Sequence, residues 1–246
     1  MGAWSGGAMA PPSPASLGIP AVRRSSGEDA ALYIRRLIFD GELRPGSRVP
    51  QDDIAQALGI SRIPIREALI ALERDGWVTI EPHRGAFVDA LDAQTVRDHY
   101  ELYGIVYGFA VRRALARSGE DLVVHLRPLV DHLAAAREPA DVTRAAFAFH
   151  RLIVEGARSP RVKVVIRAMA GLVPGDFFTL VPDAIDVERR GLPAILSALE
   201  KGDEERAADE YMKMMRRVGK SVVEVLGERG LFEPAALPAT RRRPPR

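Results

Sequence analysis

Residues 61–69, Ser-Arg-Ile-Pro-Ile-Arg-Glu-Ala-Leu, decide the fold of the first part of this chain. They follow residues 51–60, which predict a short helix that ends at the glycine of a Leu-Gly-Ile turn. Two short amphipathic helices joined at a glycine are typical of a helix-turn-helix. Ser61 is a favourable N-cap, so we expect the second helix to open there.

The second of these helices has two distinct faces. Arg62 and Arg66 lie four residues apart and therefore share one face of the first turns. In a helix-turn-helix, this is where the recognition helix meets base edges and phosphates in the major groove. Four apolar residues are assigned to the opposite face and predict its contact with the core: Ile65, Leu69, Ile70 and Leu72. The alternative is a surface helix with two solvated arginines.

A short hairpin is predicted directly after this helix. Residues 77–80, Trp-Val-Thr-Ile, alternate as a strand does, residues 81–85 predict a turn, and residues 86–88 predict the return strand. A helix-turn-helix followed by such a hairpin is a winged helix. Its tip, His83-Arg84-Gly85, is expected to reach the adjacent minor groove or the DNA backbone. Gly85 permits a close approach or a positive φ there.

Five stretches of this region resemble one known family, without a gap from about residue 28 to residue 88. They are Gly-Glu-Leu-Arg-Pro-Gly (41–46), Ile-Ala-Gln-Ala-Leu-Gly-Ile-Ser-Arg (54–62), Pro-Ile-Arg-Glu-Ala-Leu (64–69), Leu-Glu-Arg-Asp-Gly-Trp (72–77) and Arg-Gly-Ala-Phe-Val (84–88). In these stretches the chain is similar to the GntR family of bacterial transcription regulators. The resemblance implies a protein that binds double-stranded DNA.

Together, the helix faces and the resemblance give a set of candidate DNA-contacting residues. They are Arg48, Ser61, Arg62, Ile63, Arg66, His83, Arg84 and Gly85. Two positions depart from the family. Ile63 stands where a threonine is usual, and Asp52 stands where some members have a basic residue. We therefore expect a base preference that differs from that of typical relatives.

The whole chain has the composition of an ordinary globular protein. Its 246 residues, 47% of them hydrophobic, leave room for one large or two modest domains. The absence of cysteine excludes a disulfide framework and a thiolate metal site. No apolar run approaches the roughly 20 residues that span a bilayer, and the first residues do not resemble a secretory signal. A cytoplasmic protein with no membrane partner is expected.

The positive charge is not concentrated in the predicted DNA-binding region. Residues 28–92 contain eight arginines, no lysine and twelve carboxylates, a net charge of −4. Nonspecific attraction to DNA should therefore be modest, and affinity should depend on placed arginines and on dimerisation. The excess arginines lie at positions 23, 24, 241–243 and 246. These tails are either simply solvated or add salt-sensitive phosphate contacts.

The predicted fold class is mainly α: a winged helix-turn-helix with a small hairpin, then an all-α antiparallel bundle. We expect a disordered tail over residues 1–26, the winged helix over 27–90, a bundle of six or seven helices over 93–230, and a basic Pro- and Arg-rich tail over 231–246. The bundle helices are predicted at 93–117, 121–137, 141–156, 160–170, 175–180, 187–201 and 203–228. Ser118-Gly119 should interrupt the first two, and Asp141 should cap the third.

The second region resembles the FCD ligand-binding domain of the FadR subgroup. The resemblance is carried by Arg-Asp-His-Tyr-Glu-Leu (97–102), Phe-His-Arg-Leu-Ile (149–153) and Ile-Leu-Ser-Ala-Leu-Glu-Lys-Gly-Asp (195–203). Many FCD domains hold a divalent metal on one aspartate and three histidines. Those positions correspond here to Ala146, His150, Leu192 and Met214, and Tyr103 replaces a common arginine. One imidazole cannot hold a zinc-like ion, so no metal cofactor is expected.

These replacements predict a largely apolar cavity that carries no metal. Tyr100, Tyr103 and Tyr107 share a helix face, and their hydroxyls could orient a head group while their rings line a tail pocket. The other expected walls are Ala146, His150, Leu192 and Met214. His150 should hydrogen-bond a ligand head group or Tyr103. A fatty acid or another acyl compound is the predicted effector. The alternative is that these side chains are ordinary core packing.

These observations predict a ligand-responsive transcription regulator, and we favour a repressor over an activator. It would bind a palindromic operator as a homodimer, with a small-molecule effector in the bundle altering DNA affinity. Three alternatives remain open. The chain could be a constitutive DNA-binding protein whose bundle only dimerises, a metal-dependent carboxylate sensor with atypical ligands, or an enzyme with a DNA-binding appendage. The last is disfavoured because no Gly-x-Ser-x-Gly or Gly-rich phosphate loop occurs.

Overall fold

The computed structural model describes residues 25–173 and 177–232. The predicted disorder before residue 25, the helix start at Gly175 and the basic tail from residue 233 lie outside the described residues. The elements are α1 Ser26–Phe39, α2 Gln51–Leu58, α3 Arg62–Arg74, β1 Val78–Glu81, β2 Gly85–Val88, α4 Ala93–Ala135, α5 Pro139–Gly156, α6 Pro160–Met169, α7 Phe177–Leu180, α8 Asp183–Glu200 and α9 Glu204–Glu228. This arrangement confirms the predicted fold class.

The described chain forms two compact units. One contains residues 25–92 together with residues 226–232, and the other is Ala93–Val225. We predicted that the helical domain extends to residue 230, whereas the residues after Val225 belong to the first unit. Two contacts explain this. The Leu91 amide donates to the Leu231 carbonyl at 3.1 Å, and the Arg229 guanidinium lies 2.7 Å from the Asp40 carboxylate.

The first unit is built on the packing of α1 against α3. A capping box opens α1: the Glu28 amide donates to Ser25 Oγ at 3.2 Å, and the Ser25 amide donates to Glu28 Oε2 at 3.0 Å. The box starts the helix at Ser26. Apolar side chains of both helices are fully buried and form the core, among them Ile34, Ile38, Ile65 and Leu72.

The hairpin is a two-stranded antiparallel sheet that forms the predicted wing. Val78 pairs with Val88, and Glu81 pairs with Gly85 at the turn end. The segment before α2 also lies along β2, because the Val49 amide donates to the Ala86 carbonyl at 2.8 Å and the Val88 amide donates to the Ser47 carbonyl at 2.9 Å. These bonds fix the wing to the body of the first unit.

Within its described residues, the second unit is helical throughout. Gly119, with φ 49° and ψ −132°, interrupts α4 at the predicted break. The expected cap at Asp141 is wrong, because α5 begins at Pro139 with Glu138 as its N-cap residue and Asp141 lies in the first turn. Proline suits a first helical position, where its missing N–H has no partner to lose. The helix α8 begins at Asp183, four residues before the predicted start. In the described part of the chain, no helix is both long enough and apolar enough to cross a membrane.

Candidate functional site

The helix α3 exposes one face of arginine and isoleucine. Ile65, Leu69 and Leu72 are buried as predicted, whereas Ile63 is 67% exposed and Arg62 and Arg66 are also exposed. The prediction for Ile70 is wrong, because it is 63% exposed. Seven residues separate it from Ile63, almost two helical turns, so the two side chains share the outer face.

The N-terminus of α3 lies where the sequence placed it, but its contacts differ. Ser61 is the N-cap residue, yet its side chain makes no capping hydrogen bond. The Arg62 guanidinium lies 2.6 Å from an Asp52 carboxylate oxygen on α2, and both side chains are about two-thirds exposed, at 66% and 65%. Such an exposed pair is worth little in water and can be exchanged for a DNA contact. Arg66 has no ion pair with any other described residue.

The wing tip has the backbone conformation that its sequence predicts. His83 has φ 61° and Gly85 has φ 109°, both in the left-handed half of the Ramachandran map. A Cβ added to Gly85 would lie 2.8 Å from the Nε atom of Arg48. Gly85 is therefore favoured by its backbone angle, whereas the exposed Arg48 guanidinium is the end of a flexible side chain that a larger residue could displace.

Arg84 is held by neighbouring side chains, and the backbone of Arg48 pairs with the wing strand. Arg84 is paired with Glu81, and its guanidinium lies over the Phe87 ring at 5.3 Å from the centroid. Arg48 forms an isolated bridge with Phe87 on the other side of the wing strand. The structure thus brings the predicted residues Arg48 and Gly85 into contact beside Arg84 at the wing tip.

In the second unit, side chains from six helices, α4 to α9, and from the segment after α6 surround a cavity of about 130 Å³. Five of the predicted wall residues line it: Tyr100, Tyr103, Tyr107, Ala146 and His150. The remaining lining residues are Phe147, Met169, Ala170, Leu172, Val173, Phe177, Phe178, Glu188, Met215 and Val218. These five residues therefore border an open space in the structure, and their side chains do not pack against one another throughout.

Two predicted walls lie elsewhere in the core. Leu192 is fully buried and Met214 is 2% exposed, but neither lines the cavity. The Met214 thioether instead fills the space that a Cβ on Gly191 would take. The Met214 side chain therefore packs against Gly191 of α8 and does not reach the cavity. No sequence pattern had indicated the contact between Met214 and Gly191.

His150 is held by two partners that were not predicted. Its Nδ1 atom lies 3.2 Å from the Tyr211 hydroxyl, and its Nε2 atom lies 3.3 Å from the Glu188 carboxylate. The expected bond to Tyr103 is not among the hydrogen bonds of the described residues. The only sequence signal for Glu188 is its place one helical turn before Leu192.

Glu188 adds a buried acidic side chain to a cavity that the sequence predicted to be largely apolar. Its side chain is 4% exposed, and its Oε2 atom has no hydrogen-bond partner among the described residues. Burial raises the pKa of the Tyr211 hydroxyl well above its usual range, and the nearby Glu188 carboxylate raises it further. Tyr107, whose ring stacks on Tyr211 with centroids 5.0 Å apart, likewise has a raised pKa, mainly because it is buried. These phenols are therefore neutral hydrogen-bonding groups at neutral pH.

The residues around His150 do not fit a bound metal ion. In residues 25–173 and 177–232, no group of three or more His, Cys, Asp or Glu side chains could hold one. His150 and Glu188 offer two ligands, fewer than the three or four that a zinc-like ion takes from protein.

Two family models match this chain. Residues 27–88 match the bacterial regulatory proteins of the gntR family, and residues 98–217 match the FCD domain. The chain belongs to the GntR family. The predicted resemblance is thereby confirmed for both regions, and the proteins that resemble it are transcription regulators rather than enzymes.

Individual relatives support this assignment. An HTH-type transcriptional regulator of Mycobacterium tuberculosis is 33% identical over 159 residues, which are 65% of this chain and 65% of that protein. An HTH-type transcriptional regulator of Agrobacterium vitis, from the TAR-I ttuE-ttuC′ intergenic region, is 33% identical over 138 residues, 53% of this chain and 81% of that protein. The match thus spans slightly less than two thirds of the Mycobacterium protein.

A solved structure supports the fold. The Escherichia coli protein McbR/YncC superposes with a TM-score of 0.57 and 18% identity, over 84% of this chain and 99% of that one. The fold described above is therefore similar to that of a protein whose structure has been solved.

Proposed function

We propose that this GntR protein is a ligand-responsive transcription regulator that binds a palindromic operator as a homodimer in the bacterial cytoplasm. The observation that carries the proposal is the exposed face of α3, where Arg62 and Arg66 lie in a winged helix of the GntR family. An arginine can make two hydrogen bonds to the O6 and N7 atoms of guanine in the major groove.

The other exposed residues of the interface extend this contact. Ile63 and Ile70 present apolar side chains on the same face, and such groups suit the methyl group of thymine. Arg48 and Arg84 on the wing would contact phosphates or the minor groove. Because the domain carries a net charge of −4, these few placed groups supply most of the attraction to DNA.

An apolar stripe on α4 supports the homodimer. Leu102, Ile105 and Phe109 are 54%, 50% and 40% exposed, and their spacings of three and four put them on one face of the helix. Clustered exposed apolar side chains are typical of protein interfaces. A second copy of the chain that covers this stripe would pair two winged helices for two half-sites of a palindrome.

The cavity supports a small-molecule effector that controls DNA affinity. Met215 and Val218 of α9 line it, and the end of this helix from Leu226 belongs to the same compact unit as the winged helix. A ligand that favours one position of α9 over another would alter DNA binding, with reciprocal effects on both affinities. We propose that the ligand weakens operator binding, as expected of a repressor released by its effector.

The chemical class of the effector predicted from the sequence, a fatty acid or acyl compound, stays a prediction. The buried Glu188 counts against a ligand carboxylate, because two like charges in one buried site repel each other.

Selection from a pool of random duplexes tests the proposal. We expect the full-length protein to enrich a twofold-symmetric motif with guanines that Arg62 and Arg66 contact. Enrichment of a symmetric motif by the wild type, and its loss in the Arg62→Ala, Arg66→Ala double variant, is the expected result. If the wild type enriches no sequence motif over the random pool, the proposal is overturned.

A further inference from the structure

The Glu188 carboxylate lacks one of its partners. Glu188 lies on α8 and lines the cavity, and its side chain is 4% exposed. The Nε2 atom of His150 lies 3.3 Å from both carboxylate oxygens, but its hydrogen bond is directed to Oε1, and Oε2 has no partner among the described residues. A buried charged oxygen without a donor is costly, so a donor supplied by a ligand would gain the full value of that bond.

Aromatic rings surround the same space. Tyr100, Tyr103 and Tyr107 on α4 line the cavity together with Phe147, Phe177 and Phe178. The Tyr103 and Tyr107 ring centroids are 4.9 Å apart, and Tyr107 lies 5.3 Å from the His150 ring. The faces of such rings attract cations, most strongly where water is excluded. The rings also offer apolar surface to the rest of a ligand.

Basic side chains are absent from this lining. Among the described residues that line the cavity there is no lysine and no arginine, and His150 is the sole basic group. A ligand carboxylate would therefore meet Glu188 with only the imidazole to offset the repulsion. A ligand ammonium would meet a carboxylate and several ring faces.

The size of the cavity limits the ligand to a small molecule. Its volume of about 130 Å³ is close to the roughly 150 Å³ of an engineered protein cavity that accepts benzene. One small ring or a short branched chain, with a single charged group, fills such a space.

We propose that this cavity binds an organic ammonium compound with a compact apolar body, held by the carboxylate of Glu188 and the surrounding tyrosine and phenylalanine rings. The inference rests on the proposed function only in treating this cavity as the effector site. It replaces the acyl class with a cationic one.

Three probes of one shape and different charge test the proposal: benzylammonium, benzyl alcohol and benzoate. Each is titrated at neutral pH into the full-length wild type, with the melting temperature and calorimetric Kd as readouts. We expect benzylammonium to raise the melting temperature and to bind at least about tenfold more tightly than benzyl alcohol, as a buried charge-assisted contact should. Benzoate should bind more weakly than the alcohol.

The Glu188→Gln variant removes the charge and keeps the shape. We expect it to bind benzylammonium and benzyl alcohol within about threefold of each other, since only the charge-assisted part of the contact is lost. Glu200→Gln, a change on the same helix at a residue paired with Arg127 outside the cavity, should keep the wild-type preference. If Glu188→Gln does not fold, the charge series on the wild type still decides the matter.

The proposal is overturned if no saturable binding of benzylammonium occurs up to about 10 mM, or if benzoate binds as tightly as benzylammonium. It is also overturned if Glu188→Gln keeps the preference for the ammonium. These readouts do not involve DNA. A cavity that binds benzylammonium in a protein that selects no operator would contradict the proposed function and leave this inference standing.

Discussion

The exposed face of α3 and the cavity of the helical unit differ in how closely they follow their family. The α3 region keeps the family sequence almost without interruption, and its functional side chains are exposed and local in sequence. In the helical unit, the positions at which the resemblance implies metal ligands hold Ala146, His150, Leu192 and Met214, and only the first two line the cavity, whose polar residues come from helices far apart in the chain. The proposed DNA-contacting face thus consists of residues close together in the sequence, whereas the proposed effector site depends on the contacts of His150 with Glu188 and Tyr211, residues distant in the sequence.

The largest effect is expected from removing both arginines of α3. Arg62→Ala with Arg66→Ala should weaken binding to the selected operator by at least about 30-fold, at roughly 1–3 kcal/mol for each lost base contact. Fluorescence anisotropy with a labelled duplex measures this. Arg151→Ala removes an exposed arginine of the helical unit and should leave affinity unchanged. Equal affinities for the double variant and the wild type would show that another surface reads the DNA.

A charge in the apolar stripe of α4 should separate the two copies. Ile105→Glu places a carboxylate in a surface that we propose to be buried between copies, and burial of an unpaired charge is strongly unfavourable. Sedimentation should show a dimer for the wild type and a monomer for Ile105→Glu at micromolar concentration. Val124→Glu changes another exposed apolar residue, 66% exposed, and should remain dimeric. A monomeric wild type would exclude this interface.

Substitution of Gly85 should weaken the wing. Gly85→Ala places a side chain at φ 109°, well outside the left-handed helical region near 57°, and we expect a loss of about 1–3 kcal/mol in unfolding free energy; the Arg48 guanidinium, 2.8 Å from the added Cβ, must also move aside. Gly59→Ala also strains a positive φ, 63°, but meets no atom within 4 Å, so its cost should be smaller. Chemical denaturation of both variants gives the comparison. A smaller loss for Gly85→Ala than for Gly59→Ala would contradict the structure of the wing.

The smallest effect concerns the pair between α2 and α3. Asp52→Asn frees the Arg62 guanidinium from its carboxylate at 2.6 Å and should raise operator affinity by about two- to fivefold, more at low salt, because exposed pairs are weak and screened. Asp53→Asn removes a neighbouring charge with no ion pair among the described residues and serves as the control. The same gain in both variants would mean that Asp52 acts only through net charge.

The comparison also shows which parts of the molecule the sequence could predict. Helix α3 and the wing were predictable because their signals are local: an N-cap, two arginines at a helical spacing, and a hairpin turn with a glycine. The errors at Ile70 and Asp141 are local too. Ile70 falls outside the 3–4 spacing of the buried residues, and Pro139 starts α5 before Asp141 can cap it.

The cavity was predictable only in part. Tyr100, Tyr103, Tyr107, Ala146 and His150 were predicted to line it, the tyrosines from their spacing on one helix. Glu188 and Tyr211 contact His150 from 38 and 61 residues away, and no periodicity reveals such pairs. Met214 was assigned to the cavity because it stands where the FCD resemblance implies a metal ligand, and nothing in the sequence shows that its side chain packs against Gly191 instead.

The central claim is that the two regions act as separate but coupled sites. The most direct test is to measure operator affinity with and without benzylammonium for the wild type, Glu188→Gln and the double arginine variant. We predict that the wild type binds the duplex and loses affinity when benzylammonium is added. Glu188→Gln should bind the duplex within about threefold of the wild type and not respond to benzylammonium, since the substitution removes the proposed ligand contact and changes no residue of the unit that contains the winged helix. The double arginine variant should lose the duplex while still binding benzylammonium. A Glu188→Gln protein that loses the operator as completely as the arginine variant would contradict the account.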